Sequence, residues 1–409
     1  MFEIYLWIIC FISIYVSIFW INVISLGEEP KLPKLVNKPL VTIAIAAYNE
    51  EEGIINTIKS LLNLKYPKEK LEIIVVNDGS KDNTKSLVEN FIKDYKNIKL
   101  INHEINKGKG AGLNTALNEA KGKYFGVFDA DSIADPISLK VMLPYFQGDN
   151  IAAVISPIKV LKPKTTIEKI QRLEYIFATF VRKLMSNIGT LHTTPGVLSL
   201  YNIQTIKKIG GFDEKTLTED YEIALRLKYH NYNIKMCAEC ENYTIVPQNF
   251  NSLWKQRVRW FRGFIDGAYK YRTMILNKKY GLMGLFQVPL NILTLFLVLS
   301  SLLFFTYQFY KYLLRFLYRI PLISINDFLN YNFPPLTEIL LSINVKMLFP
   351  VTISFFMGIY LYFKAHSYID EKWRFHFASL VYLFIYPLFR SLQWLHAFTL
   401  EITKAKRKW

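Results

Sequence analysis

Two aspartates one residue apart, Asp129 and Asp131, are the clearest chemical signal in this sequence. They follow the apolar run YFGVF, which is typical of a buried strand, so both carboxylates should lie where that strand ends. Two carboxylates at a turn can coordinate one cation. Such hard oxygen ligands suit Mg²⁺ or Mn²⁺, which often bridge substrate phosphates. We predict a Mg²⁺ or Mn²⁺ site at this pair; two solvated turn aspartates are the alternative.

A later carboxylate and a helical cluster could act on the same substrate. Asp220 ends the tripeptide TED before an amphipathic helix, where it could be a general base or simply favour the positive end of the helix dipole. In QRVRW, Gln256 and Trp260 are one helical turn apart with Arg259 beside them. Arginine can bind pyrophosphate and tryptophan can stack on a sugar. A basic, aromatic helix at a membrane surface is the alternative.

Four further polar residues could contact a nucleotide. Asp78 follows a predicted strand in NDGS and could accept hydrogen bonds from a base or ribose, or cap the next helix. Lys109 lies in the glycine-rich stretch NKGKG before a helix, where it could meet phosphate or belong to a solvated loop. Tyr48 and Glu50 follow the first predicted strand. We predict that these four bind the nucleotide together with Asp129.

The pattern of residues 40–130 predicts a scaffold that brings these side chains together. Strands are predicted at 40–48, 71–77, 98–101 and 124–130, and helices at 51–63, 82–95 and 109–120. This alternation predicts an α/β domain with a mostly parallel, Rossmann-like sheet. Ligands of such sheets bind beyond the carboxyl ends of the strands, so Tyr48, Asp78 and Asp129 should meet at one edge.

Apolar segments bracket this domain. Residues 4–26 carry no charge and exceed the roughly 20 residues that cross a bilayer. Later candidates are 285–310, 345–363 and 375–400, and helical spacing at 167–188 and 252–275 fits either interfacial or plain buried helices. We divide the chain into an N-terminal transmembrane helix (1–27), a linker (28–39), a cytoplasmic catalytic domain with interfacial helices (40–280), a C-terminal transmembrane region (281–400) and a basic tail (401–409).

The formal net charge of +17 is attributed to basic residues beside the membrane segments, facing anionic lipid on the cytoplasmic side. No nucleic-acid module is recognisable, so no nucleic-acid partner is predicted. Lys31, Lys34 and Lys38 follow the first segment and predict a cytoplasmic middle domain, although three later crossings would leave the basic tail outside. Cys237 and Cys240 form a lone CxxC, predicted to be a reduced structural pair, with a metal site as the alternative.

Taken together, these motifs resemble the membrane-embedded, processive β-glycosyltransferases of glycosyltransferase family two, which include cellulose, hyaluronan, chitin and poly-N-acetylglucosamine synthases. The resemblance covers roughly residues 38–275 by motif and the flanking segments by layout. Phrases such as LTED and WKQRVRW are most similar to the bacterial poly-N-acetylglucosamine synthases. The resemblance implies a GT-A fold and a nucleotide-sugar donor, commonly a uridine diphosphate sugar, with a glycan or lipid-linked acceptor.

By the same resemblance, each motif receives a role. Asp78 contacts the nucleoside, Asp129 and Asp131 hold the metal, and Asp220 is the base. The donor pyrophosphate and the acceptor's terminal sugar would be held by Gln256, Arg259 and Trp260, and the acceptor site shaped by Thr194, Pro195 and Gly196. We expect an inverting enzyme that elongates a β-linked polysaccharide. A single-transfer relative acting on a lipid carrier and an inactive glycan-binding or conducting relative are the alternatives.

Overall fold

The computed structural model describes residues 2–27, 35, 37–319, 335, 338, 345–369 and 377–406. Most of the predicted linker 28–39, parts of the C-terminal region and residues 407–409 of the basic tail lie outside the described residues.

A mixed sheet of seven strands forms the centre of the middle domain. The strands of the chain are β1 (Val41–Ala47), β2 (Leu71–Asp78), β3 (Ile98–His103), β4 (Tyr124–Phe128), β5 (Ser132–Ile133), β6 (Ile151–Ile155), β7 (Ile158–Val160), β8 (Val197–Asn202), β9 (Asn233–Met236) and β10 (Asn242–Thr244). The sheet order is β3-β2-β1-β4-β8-β6-β9. The first four strands are parallel, as predicted, whereas β8 runs antiparallel to both β4 and β6.

Helices cover both faces of this sheet. The helices of the described residues are α1 (Phe2–Ser25), α2 (Ile54–Leu62), α3 (Thr84–Phe91), α4 (Lys109–Glu119), α5 (Ser138–Met142), α6 (Thr166–Asn187), α7 (Ile203–Lys208), α8 (Glu219–Tyr229), α9 (Phe250–Lys270), α10 (Val288–Arg319), α11 (Val345–Tyr368), α12 (Phe377–Leu380) and α13 (Tyr386–Ile402). Alternate strand residues point to opposite faces, so Ile43 of β1 packs in the core with α2, while Ala44 packs with α4.

Strand order reverses between β1 and β4, because β2 and β3 extend to one side of β1 and β4 pairs on the other. Such a switch point opens a crevice beyond the strand ends where ligands bind. Beyond the sheet, a small sheet of order β5-β10-β7 lies next to α6. Helix α6 begins with a capping box, in which Thr165 and Glu168 satisfy each other's backbone N–H groups.

Within the described residues, three helices are long and apolar enough to cross a membrane: Glu3–Ser25, Met283–Arg319 and Val345–Tyr368. Helix α1 packs against the other two. The Tyr5 hydroxyl lies 2.8 Å from the Ser300 hydroxyl of α10. Trp20 and Val23 of α1 share an apolar cluster with side chains of α6 and α11. We call this cluster the α1–α6–α11 core.

The third apolar segment predicted after the domain, 375–400, takes a different form. A π-helical turn at Val381–Ile385 separates α12 from α13, and α13 lies along α9. The Phe261 ring of α9 stacks on Trp394 at 4.0 Å, and the Arg262 Nε atom donates to Glu401 at 2.5 Å. Helix α13 is therefore docked on the middle domain. Cys237 and Cys240 are buried free thiols whose sulfurs lie 3.9 Å apart.

Candidate active site

Three carboxylates crowd the crevice beside β1 and β4. Glu50 follows β1, while Asp129 and Asp131 follow β4. Burial, together with the charges of Asp131, Asp129 and Asp82, raises the pKa of Glu50 to about 7. Burial and the charge of Asp129 likewise raise the pKa of Asp131, although Lys109 opposes them. The crevice thus gathers more negative charge than its surroundings neutralise.

This donor set fits a divalent cation that the substrate helps to hold. Within the part of the chain that the structure describes, no three His, Cys, Asp or Glu side chains form a complete metal cage. Mg²⁺ in phosphate-transferring sites commonly needs only one or two carboxylates, because phosphate and water supply the other ligands. Asp129 and Asp131 offer such a pair, and a bound cation would relieve the crowding that raises the pKa values around it.

Lys109 connects the aspartate pair to the predicted base. Its Nζ atom lies 2.6 Å from Asp129 Oδ1 and 2.8 Å from Glu219 Oε1. Burial lowers the pKa of Lys109, but the charges of Asp129, Glu219 and Asp220 outweigh burial and raise it well above the usual value. The ammonium is therefore a fixed positive charge between the two halves of the site.

Asp78 holds the loop that presents this lysine. The carboxylate of Asp78 is buried and accepts hydrogen bonds from the backbone N–H groups of Lys107, at 3.0 Å, and Gly108, at 2.8 Å. The His103 ring adds a contact of 2.7 Å. Gly108 has a φ of 92°, a left-handed conformation that glycine adopts without steric strain. Asp78 thus has a structural task in addition to the nucleoside contact predicted for it.

The segment Thr194–Gly196 joins the aspartate pair to Asp220. The backbone N–H of Asp129 donates to the Gly196 carbonyl at 2.9 Å, and a Cβ atom on Gly196 would lie 2.3 Å from Asp129 Oδ1. At the other end, the Thr194 hydroxyl donates to the backbone carbonyl of Asp220 at 2.7 Å. Pro195 between them accepts from the Ser199 hydroxyl. The three predicted acceptor-site residues therefore touch both halves of the site.

Asp220 lies in the first turn of α8, where the Tyr221 N–H donates to its Oδ1 atom at 2.8 Å. Burial and the charge of Glu219, opposed by Lys109, together raise the pKa of Asp220 to about 6. A carboxylate with this pKa is ionised at neutral pH and can still accept a proton, which is what a general base requires.

Helix α9 carries QRVRW and packs closely on the TED segment. A Cβ atom on Gly263 would lie 2.0 Å from Thr218 Oγ1, and one on Gly267 would lie 2.8 Å from the Tyr221 ring. The Phe264 ring stacks on Tyr221 at 5.6 Å. These two small residues, one turn apart, let α9 approach α8. Trp260 is one turn before Gly263 and therefore lies near the segment that holds Asp220.

Two residues of this site, Arg257 and Glu174, could not be recognised from the sequence. Arg257 is fully buried, and its Nη2 atom pairs with Glu174 Oε2 of α6 at 2.6 Å. Arg257 also contacts Gln256 and Trp260. Arg259, the arginine predicted from the motif, is half-buried on the same helix. The two arginines of KQRVRW are alike in type, and only the position of α6 distinguishes their surroundings.

Tyr48 is 39% exposed at the rim of the crevice. The next residue, Asn49, has a φ of 56°, and its backbone and side chain bond to Ser80 and Lys81. This turn lines a cleft of about 430 Å³ formed by Asn49, Glu50, Glu51, Glu52, Lys81 and Asp82. The predicted donor residues Tyr48 and Glu50 thus lie beside an open space at the ends of β1 and β2.

Comparison with known proteins identifies the family. Residues 42–210 match Glycosyl transferase family 2. A poly-β-1,6-N-acetyl-D-glucosamine synthase of Staphylococcus aureus strain COL is 30% identical over 304 residues, 71% of this chain and 73% of the relative. The synthase of the same name from Staphylococcus epidermidis RP62A is 31% identical over 265 residues, and the match spans 64% of its length.

A solved structure has the same overall arrangement. The mannosyltransferase PcManGT from Pyrobaculum calidifontis, described in complex with GDP-Man and Mn²⁺, covers 99% of this chain with a TM-score of 0.64 and 15% identity. This likeness confirms the predicted GT-A type fold with a mostly parallel sheet and flanking helices. By its sequence relatives and its fold, the chain belongs to glycosyl transferase family 2 and is a relative of the poly-β-1,6-N-acetyl-D-glucosamine synthases.

Proposed function

We propose that this protein is a membrane-bound, inverting glycosyltransferase that moves a sugar from a nucleotide-sugar donor to a growing β-linked polysaccharide. The observation that carries the proposal is the segment Thr194–Gly196, which contacts Asp129 at one end and Asp220 at the other. A single displacement requires a fixed distance between the carboxylate that binds the donor's metal ion and the base that activates the acceptor. The segment Thr194–Gly196 would fix that distance by contacting both Asp129 and Asp220.

In this mechanism Asp220 removes the proton from the acceptor hydroxyl. The hydroxyl oxygen then attacks the anomeric carbon from the side opposite the leaving diphosphate, which inverts the configuration and needs no covalent enzyme intermediate. Asp129 and Asp131 would hold a Mg²⁺ or Mn²⁺ ion, and when bound this ion supplies neutralising charge for the departing diphosphate. Lys109 places a second positive charge within 2.6 Å of Asp129.

The donor would lie across the crevice formed by the ends of β1, β2 and β4. Tyr48, Glu50, Asp78, Lys109 and Asp129 are the proposed donor contacts. The staphylococcal relatives are named for polymers of N-acetylglucosamine, which supports UDP-N-acetylglucosamine as the first donor to test. The proposed acceptor and pyrophosphate contacts are Thr194, Pro195, Gly196, Gln256, Arg259 and Trp260.

The catalytic domain is proposed to lie in the cytoplasm, between α1 and α10 of a multi-pass cell-membrane protein. Two candidate spans among the described helices follow the domain, and this even number supports a return of the chain to the domain's side. The contact between Arg262 and Glu401 supports a position of the end of α13 on the domain's side of the membrane. This arrangement puts the basic tail next to anionic lipid and removes the conflict with the positive-inside tendency.

The test is incubation of purified protein with a panel of nucleotide sugars and Mn²⁺ or Mg²⁺, followed by product sizing by gel and mass spectrometry. The proposal predicts long polymer from UDP-N-acetylglucosamine at limiting enzyme, and none from Asp220→Asn. A single-sugar adduct on a lipid or glycan would replace the polymerase with a lipid-carrier transferase. No transfer from any donor would overturn the enzymatic proposal.

A further inference from the structure

A buried ion pair contacts two of the predicted acceptor residues, Gln256 and Trp260. Arg257 of α9 is fully buried, Glu174 of α6 is 11% exposed, and Arg257 Nη2 lies 2.6 Å from Glu174 Oε2. The α13 helix adds two contacts to Glu174: the Tyr386 hydroxyl donates at 3.0 Å, and Arg390 Nη1 lies 3.6 Å away. The guanidinium of Arg257 is therefore fixed by a carboxylate that two further groups restrain.

This guanidinium determines which way the Gln256 amide points. Arg257 Nη1 donates to Gln256 Oε1 at 2.5 Å. A guanidinium only donates, so it must meet the oxygen of the amide and not its nitrogen. The Gln256 NH₂ group is then directed away from Arg257 with two donors to offer. Such a group binds lone-pair oxygens, as found in a sugar hydroxyl, a ring oxygen or a phosphate.

The same guanidinium covers one face of the Trp260 ring. The Arg257 Cζ atom lies 4.2 Å from the ring centroid, a distance typical of a cation–π contact. A planar guanidinium stacked on an indole fixes the ring's tilt and occupies one of its two faces. A sugar that stacks on Trp260 must therefore use the opposite face, and its position is defined relative to Gln256.

We propose that Glu174 and Arg257 form a positioning pair that sets both the donor direction of the Gln256 amide and the accessible face of Trp260 for the terminal sugar of the acceptor. The pair touches no reacting atom and acts through the two motif residues. This inference rests on the proposed function, because it specifies how the acceptor end of that site is held.

The test separates charge pairing from planar positioning. Arg257→Lys keeps a cation for Glu174 but loses the planar stack on Trp260 and the fixed donor to Gln256. Glu174→Gln leaves Arg257 buried without its counterion, which we expect to lower the melting temperature by about 5 °C or more. The double variant Glu174→Gln/Arg257→Met removes both charges, and we expect it to recover most of that loss.

Two quantities are measured for each variant. Calorimetry without donor gives the Kd of a β-1,6-linked N-acetylglucosamine pentasaccharide, and steady-state kinetics give the separate KM values for pentasaccharide and donor. We expect Arg257→Lys and the double variant to raise the pentasaccharide Kd and KM about 10-fold, as expected from loss of an ordered stacking and hydrogen-bonding pair. The donor KM should stay within about threefold of wild type, because Arg259 and the five proposed donor contacts are unchanged in these variants.

The matched control is Arg262→Lys. Arg262 is on the same helix, is 7% exposed and pairs with Glu401 of α13 at 2.5 Å, so it also ties α9 to α13. We expect its pentasaccharide Kd to equal that of wild type. An equal rise in this control would make the effect one of general helix packing and overturn the positioning role.

Two other outcomes are decisive. If Arg257→Lys binds the pentasaccharide with the Kd of wild type, the positioning role is overturned and the proposed function stays intact. Wild-type protein that binds no pentasaccharide and makes no polymer would overturn the proposed function and the positioning role with it.

Discussion

Replacing Gly196 with alanine should disable the metal pair while leaving the fold intact. The added Cβ atom would lie 2.3 Å from Asp129 Oδ1, whereas ordinary contacts begin at 3.4 Å. Gly196 does not have a left-handed φ, so alanine adds no backbone strain. The carboxylate must therefore move by about 1 Å, and a misplacement of about 1 Å can lower a catalysed rate roughly 10²-fold.

The assay for Gly196→Ala is nucleoside diphosphate release as a function of Mn²⁺ concentration. We expect a rate about 100-fold below wild type and a higher half-saturating Mn²⁺ concentration. The melting temperature should change little. Gly358→Ala in α11 is the control, because a Cβ there meets no atom within 4 Å among the described residues. Wild-type rate and Mn²⁺ dependence in Gly196→Ala would refute the requirement for this Asp129 position.

Four further predictions concern Asp131, Asp220 and Trp260. Asp131→Ala should abolish transfer in correctly inserted protein, and full turnover by this variant, or by wild type in excess chelator, would contradict the metal assignment. Asp220→Asn should lower turnover at least ~100-fold while donor binding, measured by calorimetry, is largely retained; equal losses in both would indicate a binding role. Because only ionised Asp220 accepts a proton and its pKa is raised to about 6, the wild-type rate should fall as pH drops through that value and level off above it, and a rate independent of pH from 5 to 8 would argue against this base. Trp260→Ala should yield shorter chains or none even where donor hydrolysis persists, since aromatic stacking contributes roughly 0.5–1.5 kcal/mol beyond area burial; long polymer from this variant would exclude a platform role.

The first half of the catalytic domain is predictable because its residues obey local rules. Strands β1 and β2 are rich in β-branched residues, β4 is rich in aromatic residues, and polar residues end or follow each strand. The predicted bounds therefore agree with the structure to within two residues. The helix predicted at 82–95 ends earlier, with α3 followed by a short 3₁₀ turn at Ile92–Asp94. The antiparallel β8 could not be predicted, because strand direction depends on the path of the intervening chain.

The acceptor side of the site depends on contacts distant in sequence. Glu174 and Arg257 are 83 residues apart, and nothing local in α6 marks Glu174 as a partner for α9. From the sequence, the aromatic face of α9 fits either a helix at the membrane surface or a buried helix. In the structure, α13 packs on this face through Trp394 and His396. Helical periodicity shows that a face is apolar but does not tell lipid from a second helix.

The α1–α6–α11 core has a consequence for how this protein can be handled. Trp20 of α1 and Leu361 of α11 pack with Ile176 and Phe180 of α6, a helix of the catalytic domain. An excised soluble fragment of residues 40–280 would expose this face of α6 to water and lose Tyr386 and Arg390 beside Glu174 as well. Such a fragment should aggregate, and the intact chain in detergent should melt in a single cooperative transition. The catalytic and membrane parts are best regarded as one folding unit, so lipids that loosen the helix bundle should also slow the enzyme.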